Sequence, residues 1–262
     1  MLEKCGPEKL ELATGFLERQ PELNYFMLGD LESFGLDDPN VDLWMEGGNQ
    51  PTAAVLRYWG NYLIHAPQGA DWASIAHIMR HGGFGMLSGV PAEVTPILQQ
   101  LRLNPTIDTN ILMMLPRGAL CPVESDIRLE WVTLGNLRQY QAGLLALRAN
   151  IVEFNVAMNL DAMREELALG CKRILVAVAG GQVISMAMTT VERRRWAMVV
   201  SVCTHRDWRG RGIAGAVMTA LCRQLADEGK TALLFYNNPV AGRLYVKLGF
   251  RERGRWCYAY FR

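Results

Sequence analysis

The stretch from Val200 to Gly215 contains residue types in an order that can hold a phosphate group. Val200 to Thr204 are β-branched or small and follow an apolar run, so they predict a strand. The spacing of Ile213 to Ala226 predicts a helix, and four residues precede it: Arg209, Gly210, Arg211 and Gly212. Glycines let backbone N–H groups approach an anion, and the first turn of a helix adds unpaired N–H groups and partial positive charge. The stretch therefore predicts an anion-binding loop, to which the arginines add charge-assisted donors.

Two known patterns fit this loop, and the first is the dinucleotide fingerprint G-x-G-x-x-G at Gly210, Gly212 and Gly215. That fingerprint requires a strand that runs directly into the first glycine, whereas five polar or aromatic residues separate Thr204 from Gly210. It also requires an acidic residue at the end of the next strand to bind the ribose, and the predicted strand ends in Tyr236. The context of the loop therefore opposes a dinucleotide site.

The second pattern, R-x-x-G-x-A at Arg209, Gly212 and Ala214, resembles the acyl-CoA pyrophosphate loop of the GCN5-related N-acetyltransferase (GNAT) superfamily. The second family signature, N-x-x-A-x-x-L-Y-x-K-x-G-F, is matched at Asn238, Ala241, Leu244, Tyr245, Lys247, Gly249 and Phe250. The resemblance is good over residues 174–250 and looser over residues 126–173, and the first half of the chain matches no motif. Two linked signatures in this order indicate the family but do not specify the substrate.

The resemblance implies an acyl-CoA-dependent N-acyltransferase that moves acetyl from acetyl-CoA to a primary amine by direct attack in a ternary complex. The amine would belong to a small molecule or to a protein. Backbone contacts to the pantetheine arm are implied at Val202, Cys203 and Thr204. Contacts to the pyrophosphate are implied at Arg209, Gly210, Arg211, Gly212, Ile213, Ala214 and Gly215. A further cofactor contact is implied at Asn238, whose place before Pro239 equally fits a helix N-cap.

Amide formation also needs a group that protonates the departing thiolate and a group that takes the proton of the amine. The resemblance implies a tyrosine near the thioester sulfur at Tyr245, and a phenol with a pKa of about 10 can serve as general acid where water is excluded. The alternative for Tyr245 is packing in the core. Glu192 is the candidate base, because it is the only carboxylate between residues 181 and 207; the alternative is a solvated charge. Direct transfer makes Cys203 a small core residue and not a nucleophile.

A second functional hypothesis is a non-catalytic acyl-CoA-binding or regulatory module. Such a module would keep the phosphate loop and lack a working base. Turnover with a panel of amines, compared with simple binding of the cofactor, would separate the two hypotheses.

The elements around the loop predict an α/β fold of the α+β type, with a mixed, mostly antiparallel sheet flanked by helices. Strand, helix and strand across Val200 to Tyr236 imply a parallel pair with a right-handed crossover. The resemblance implies that these two strands splay apart and that the pantetheine arm lies in the gap. The apolar spacing of Asn136 to Phe154 predicts a long helix.

The chain is expected to form two domains, residues 1–120 and residues 126–262, with Pro116 to Pro122 as the linker. Residues 1–120 predict a smaller α/β domain, in which Thr52 to His65 is read as a strand. Its order of elements is similar to that of the second half without the phosphate loop. The hypothesis is a degenerate GNAT copy, as in the glycine N-acyltransferase-like enzymes with tandem domains.

Composition narrows the functional classes. No apolar run approaches the length of about 18 residues that spans a bilayer, and the acidic N-terminus lacks the apolar core of a secretory signal, so no membrane association is expected. The six cysteines are widely spaced without a C-x-x-C pair, which indicates reduced thiols and a cytoplasmic location. His77 and His81 have helical spacing but no third ligand in view, so no metal site is expected.

The net charge of +1 is unevenly distributed along the chain. Residues 1–125 carry 7 basic and 15 acidic side chains, a net charge of −8, whereas residues 126–262 carry 20 and 11, a net charge of +9. The basic half suits a polyanion such as coenzyme A, or it reflects two oppositely charged domains. Near-zero total charge and dispersed arginines oppose a nucleic-acid partner, and the oligomeric state is not predicted.

Overall fold

The computed structural model describes residues 2–149 and 158–261 of the chain. Within these ranges there are eight α-helices and twelve β-strands. The chain divides into two compact units, residues 1–111 with 253–262 and residues 112–252. In the described residues, no helix is both long enough and apolar enough to cross a membrane.

The first unit is built on a mixed sheet whose strands lie in the order β1-β2-β3-β4-β5-β12. Its elements are β1 (Glu3–Lys4), α1 (Leu10–Leu17), α2 (Tyr25–Phe34), β2 (Val41–Glu46), β3 (Ala53–Tyr58), β4 (Asn61–His65), α3 (Trp72–Gly82), β5 (Met86–Gly89), α4 (Pro91–Leu101), the first part of β6 (Thr106–Met114) and the end of β12 (Arg251–Tyr260). β4 and β5 run parallel, whereas β1 to β4 pair antiparallel in sequence and β12 pairs antiparallel with β5.

Local sequence explains where several of these elements begin and end. Asp71 caps α3, because its carboxylate accepts a hydrogen bond from the backbone N–H of Ser74 at 3.0 Å. The strand predicted over residues 52–65 is two strands, because Trp59 and Gly60 adopt φ angles of +50° and +78° and turn the chain between β3 and β4. Apolar side chains of β3, β4, α3 and α4 then form one buried cluster.

The second unit has the strand order β11-β10-β9-β8-β7. Its elements are β7 (Arg128–Val132), α5 (Leu137–Ala149), α6 (Leu160–Ala168), β8 (Ile174–Ala179), β9 (Gln182–Thr190), β10 (Trp196–Thr204), α7 (Ile213–Asp227), β11 (Thr231–Tyr236) and α8 (Pro239–Lys247). β10 and β11 are parallel, and the pairs β7–β8, β8–β9 and β9–β10 are antiparallel. The predicted long helix begins one residue late, at Leu137, and its predicted end at Phe154 lies outside the described residues.

The two halves of the sequence repeat one order of elements. In each half, a strand is followed by two helices, three antiparallel strands, a helix, a strand parallel to the one before it, a further helix and a last strand, which is β6 in the first half and β12 in the second. The parallel pairs are β4–β5 in the first unit and β10–β11 in the second. The predicted fold class, a mixed and mostly antiparallel sheet flanked by helices, is therefore confirmed. The first half of the chain has the same order of elements as the second.

The division into units differs from the predicted domain bounds at both ends. Residues 112–126 belong to the second unit, where the backbone N–H of Leu115 bonds to Ala232 O at 2.9 Å and that of Cys121 to Leu248 O at 3.0 Å. Residues 253–262, assigned to the second domain from the sequence, belong to the first unit, because Cys257 to Tyr260 pair with β5. Prolines and glycines mark irregular chain, but they carry no information on which distant strand a segment will pair with.

Candidate active site

The strands β10 and β11 separate at one end, and a cleft opens between them. Their parallel pairing extends from Trp196 opposite Thr231 to Val199 opposite Leu234 and then stops. The residues beyond the last pair line a cleft of about 500 Å³, with Val200 to Thr204 on one strand and Phe235 and Tyr236 on the other. The predicted splayed gap is therefore present in this unit.

β10 is irregular where it borders this cleft. Its register with β9 shifts between Val200 and Cys203, so Ser201 and Val202 form a bulge that interrupts the ladder. Ser201 has a φ of +55°, which is unusual for a residue with a side chain. Its hydroxyl accepts a hydrogen bond from the guanidinium of Arg148 on α5, at 2.6 Å. The bulge turns part of the strand backbone away from its neighbour at the point where the cleft begins.

The last two residues of β10 are tied to the strand beside them. Ser185 donates a hydrogen bond from its hydroxyl to the carbonyl oxygen of Cys203 at 2.8 Å, and its oxygen lies 2.8 Å from Thr204 Oγ1. The Nε of Arg209 donates to the carbonyl oxygen of Thr204 at 3.1 Å. The carbonyl groups of Cys203 and Thr204 therefore already accept hydrogen bonds within the protein.

The predicted phosphate loop forms the next part of the cleft wall. Gly210 and Gly212 both have φ of +76°, a conformation that glycine adopts without strain, and Gly212 occupies the N-cap position of α7. No side chain caps this helix, so its first-turn N–H groups keep their capacity to bind an anion. The lining residues of the loop and the helix start are Trp208, Arg209, Gly210, Gly212, Ile213, Ala214 and Gly215.

The two loop arginines differ in position. Arg209 lines the cleft. Arg211 is not among the lining residues; its guanidinium lies 4.9 Å from the ring centre of Trp208 and donates to the carbonyl oxygen of Asp207 at 3.2 Å. In the described part of the chain, neither guanidinium forms a salt bridge with a carboxylate. Both therefore retain their charge for an anion, and Arg209 is the nearer of the two.

Tyr245 on α8 lies at the cleft and is also part of the core. Its side chain is 5% exposed, and its ring packs against Tyr236 and Phe250 with ring centres 5.9 Å away in both cases. Burial, with a smaller contribution from the nearby Cys203 thiol, raises the pKa of its phenol. Among the described residues its hydroxyl has no hydrogen-bond partner. The ring of Tyr245 is therefore packed in the core, as the second alternative expected, and the residue also lines the cleft.

Asn238 performs the capping role and also borders the cleft. Its side-chain oxygen accepts a hydrogen bond from the backbone N–H of Val240 at 2.9 Å, which caps α8 ahead of Pro239. It is among the residues that line the cleft. The two readings from the sequence are therefore geometrically compatible.

Residues 146–250 match the model of the Acetyltransferase (GNAT) family. The match begins within α5 and ends just after α8, so it includes the bulged strand, the phosphate loop and Tyr245.

Solved structures with the same fold extend over the whole chain at low sequence identity. A GCN5-related N-acetyltransferase from Sphaerobacter thermophilus is 15% identical, with a TM-score of 0.64 over 98% of this chain and 94% of that one. A tandem GNAT protein from the clavulanic acid biosynthesis pathway is 15% identical, with a TM-score of 0.59 over 98% and 97%. A Drosophila protein is 10% identical, with a TM-score of 0.72 over 98% of each chain. Such likenesses show the fold alone, and no protein of curated function matches the sequence.

Glu192, the candidate base, is not among the residues that line the cleft. Its side chain is only 1% exposed, so it is not the solvated charge of the alternative interpretation. Its carboxylate accepts hydrogen bonds from Arg173 at 2.8 and 3.0 Å and from Lys230 at 2.5 Å. The hydroxyl of Thr189 donates to it as well, at 2.6 Å. A carboxylate held by three donors and absent from the cleft wall opposes the predicted base role, and we correct that expectation.

Cys203 has the environment expected of a core residue. It is 6% exposed and packs in an apolar cluster with Met186 and Leu144. Burial raises the pKa of its thiol to about 12, despite the opposing charges of Arg148 and Arg209. At neutral pH the thiolate nucleophile is therefore essentially absent. Among the described residues there is also no group of three or more side chains placed to bind a metal ion.

Arg148 and Ser201 are site residues that the sequence did not single out. Arg148 lies on α5, 53 positions before Ser201, and no motif links them. The positive φ of Ser201 and the bulge around it follow from the register with β9 and not from any local turn signal. Only the apolar spacing of α5, which places that helix against the sheet, gave a sequence signal for Arg148.

Proposed function

We propose that the protein is an N-acyltransferase that transfers an acyl group, first of all the acetyl group of acetyl-CoA, to a primary amine. The observation that carries this proposal is the composition of a single cleft in the second unit. The cleft is lined both by an uncapped helix start with Gly210 and Gly212 and by the buried Tyr245. Such a cleft suits acetyl-CoA, which carries a pyrophosphate for the anion site and a thioester for the buried proton donor.

The cofactor-binding residues in this proposal divide between the loop and the strand. Backbone N–H groups from Gly210 to Gly215 and the side chain of Arg209 would hold the pyrophosphate. On β10, the carbonyl groups of Cys203 and Thr204 already accept hydrogen bonds within the protein. We therefore expect the pantetheine amides to bond to the strand at the bulge, near Val202. Asn238 would contact the arm from the other side of the gap while it caps α8.

Tyr245 is the proposed general acid. When bound, acetyl-CoA supplies a thioester whose carbon–sulfur bond is broken as the amine forms its new bond to the acyl carbon. The phenol of Tyr245 would give its proton to the departing sulfur, because burial keeps the phenol protonated up to high pH. Its ring is fixed by Tyr236 and Phe250, so the hydroxyl needs little reorganisation to act.

The amine would lose its proton to water in this proposal. None of the described residues that line the cleft is an aspartate or a glutamate, and Glu192 is enclosed elsewhere. The proposal therefore assigns no general base to the cleft wall. The acceptor, either a small-molecule amine or an amine of a protein, would enter as the free base.

A second candidate is a non-catalytic module that binds or senses acyl-CoA. The specific observation in its favour is that the cleft wall has no carboxylate among the described residues, while most of the residues proposed to hold the cofactor line it. This candidate predicts binding of acetyl-CoA without turnover for any amine.

We also propose that the first unit is a degenerate GNAT copy. The repeated order of elements supports it, because the unit has the same parallel pair, β4 and β5. Beyond the last pair of these strands, Leu63 opposite Ser88, lie the buried side chains of His65 and Glu93, with His65 Nδ1 and Glu93 Oε1 3.9 Å apart. In sequence, both residues follow the last pair of the parallel strands, as most of the cleft-lining residues do in the second unit.

The test of the enzymatic proposal is the variant Tyr245→Phe. Removal of the phenol hydroxyl is expected to lower kcat about 100-fold or more while acetyl-CoA affinity changes less than about threefold, because the hydroxyl acts only in the chemical step. Turnover is followed by release of free thiol across a panel of amines, and affinity by calorimetry.

The matched control for this test is Tyr62→Phe, which removes the hydroxyl of a fully buried tyrosine in the first unit. Its kcat should equal that of the unaltered protein. Equal turnover in Tyr245→Phe would remove the general-acid role. Binding without turnover in the unaltered protein would favour the non-catalytic module.

A further inference from the structure

The segment between β6 and β7, residues 115–126, lies along α7 and is here called the connecting segment. It has no helix or strand, yet several of its groups are bonded to the second unit. The backbone N–H of Val123 donates to the hydroxyl of Thr219 on α7 at 3.0 Å. The next residue, Glu124, forms a salt bridge of 2.6 Å with Arg223, one turn further along the same helix. The connecting segment is therefore fixed to α7 and is not a free tether.

The side chain of Val123 rests on the start of α7, against the glycines of the phosphate loop. A Cβ atom added to Gly215 would lie 3.0 Å from Val123 Cγ2 and 3.1 Å from its Cβ, closer than side chains normally approach. A Cβ on Gly212 would lie 3.7 Å from Val123 Cγ1, in ordinary contact. Both glycines also line the cleft, so Val123 contacts the same first turn that would hold the pyrophosphate.

This contact gives a reason for glycine at position 215. Gly215 lies inside α7, and unlike Gly210 and Gly212 it does not have a positive φ, so its backbone does not require glycine. Glycine in a helix is destabilising relative to alanine, which means that its presence here needs a packing reason. The structure supplies that reason from within the protein: the space next to Gly215 is occupied by Val123.

We propose that Val123 is a positioning residue for the acyl-CoA site, seated against Gly215 so that the connecting segment fixes the first turn of α7. This proposal rests on the proposed function, because it takes the loop to be the pyrophosphate site. It explains the third glycine of the loop pattern, Gly215, by its contact with the connecting segment and not by close approach of the cofactor. The backbone N–H groups of the turn still face the pyrophosphate. Their direction depends on a residue that lies about 90 positions away in the sequence and belongs to no family motif.

The experiment is a double-mutant cycle read by calorimetric titration with acetyl-CoA. Gly215→Ala should raise the Kd about fivefold or more, because the new methyl group pushes against Val123 and displaces the turn. Val123→Ala should raise the Kd only about two- to threefold, because it loosens the turn without displacing it. The double variant should bind like Val123→Ala alone, because the smaller side chain makes room for the methyl group. This recovery is the expected result.

A matched control separates local positioning from general loss of stability. Gly143 on α5 faces Val183 in the same way, since a Cβ there would lie 2.8 Å from Val183 Cγ2, and neither residue lines the cleft. Gly143→Ala should lower the melting temperature as Gly215→Ala does, yet leave the Kd for acetyl-CoA unchanged. If Gly215→Ala fails to fold, Val123→Ile offers a milder crowding of Gly215 and should raise the Kd in its place.

Two results would overturn the proposal. One is an unchanged Kd in Gly215→Ala. The other is a double variant that binds no better than Gly215→Ala, which would mean that the glycine serves the cofactor directly. Failure of acyl-CoA binding is distinguishable, because the unaltered protein would then give no binding signal, while the melting temperatures of the same four proteins would still report the Val123–Gly215 contact. Failure of catalysis alone would appear as binding without turnover and would leave this cycle unchanged.

Discussion

At the scale of single residues, the site residues that lie in one signature were predictable and those held by distant partners were not. Tyr245 and Asn238 belong to one short pattern, and the structure places both at the cleft. Glu192 was chosen because it is near the strands in sequence. Its charged partners, Arg173 and Lys230, lie 19 and 38 positions away, so no local pattern could reveal that its carboxylate is already paired with cations.

A second residue-scale feature is the buried pair of His65 and Glu93 in the first unit. Burial raises the pKa of Glu93 from 4.5 to about 7 and lowers the pKa of His65 from 6.5 to about 4. Between pH 4.5 and 7 the folded state retains the carboxyl proton that the unfolded state loses, so the Glu93 contribution to stability falls as pH rises. The His65 contribution falls in the opposite direction, as pH decreases from 6.5 to 4.

Glu93→Gln should therefore stabilise the first unit on the alkaline side only. At pH 8 the free energy of unfolding is expected to increase by about 2 kcal/mol, because no buried carboxylate remains to be ionised. At pH 4 the variant should gain nothing, and it should keep the acid-side loss that comes from His65. Urea unfolding at a series of pH values measures the free energy of unfolding on the acid and the alkaline side. If this free energy falls equally with rising pH in the variant and the unaltered protein, the account of Glu93 is wrong.

At the scale of elements, hydrophobic periodicity and turn residues predicted most helices and strands, but not the exceptions within them. The position of the loop before α7 could be predicted from its glycine and arginine residues alone. The bulge in β10 does not, because it arises where Val200 and Cys203 pair with β9 in different registers. The break between β3 and β4 was missed because Trp59, an ordinary strand residue, adopts a positive φ beside Gly60.

Gly212→Ala tests the loop as an element. The variant places a side chain at a φ of +76°, where the strain of about 1–2 kcal/mol would be relieved by moving the N-cap of α7. We expect acetyl-CoA affinity to fall about tenfold, because the first-turn N–H groups no longer converge on the pyrophosphate. The measurement is calorimetric titration.

Gly180→Ala is the matched control for the loop variant. It introduces comparable strain at a φ of +55° in the turn between β8 and β9, where no other atom lies within 4 Å of the added group. It should lose stability and keep its affinity. Equal affinity losses in the two variants would show that strain alone, and not the loop, causes the effect.

At the scale of the whole molecule, the repeated order of elements was expected in outline, whereas the place of the last strand was not. β12 follows α8 in the chain, but residues 257–260 pair with β5 of the first unit. Hydrogen bonds between strands satisfy backbone groups whatever the side chains are, so composition gives little guidance to such distant pairing. The two halves of the chain therefore share an order of elements, and among the described residues the glycine and arginine loop lies in the second half.

The most direct measurement of the central claim is the stoichiometry of acetyl-CoA bound to the full chain, determined by calorimetric titration. The account predicts one equivalent per chain, because the cleft between β10 and β11 and the glycine and arginine loop lie in the second unit, whereas the sequence of the first unit has no such loop. It further predicts that Gly212→Ala weakens this single binding event. Absence of binding, or two equivalents per chain, would contradict the account.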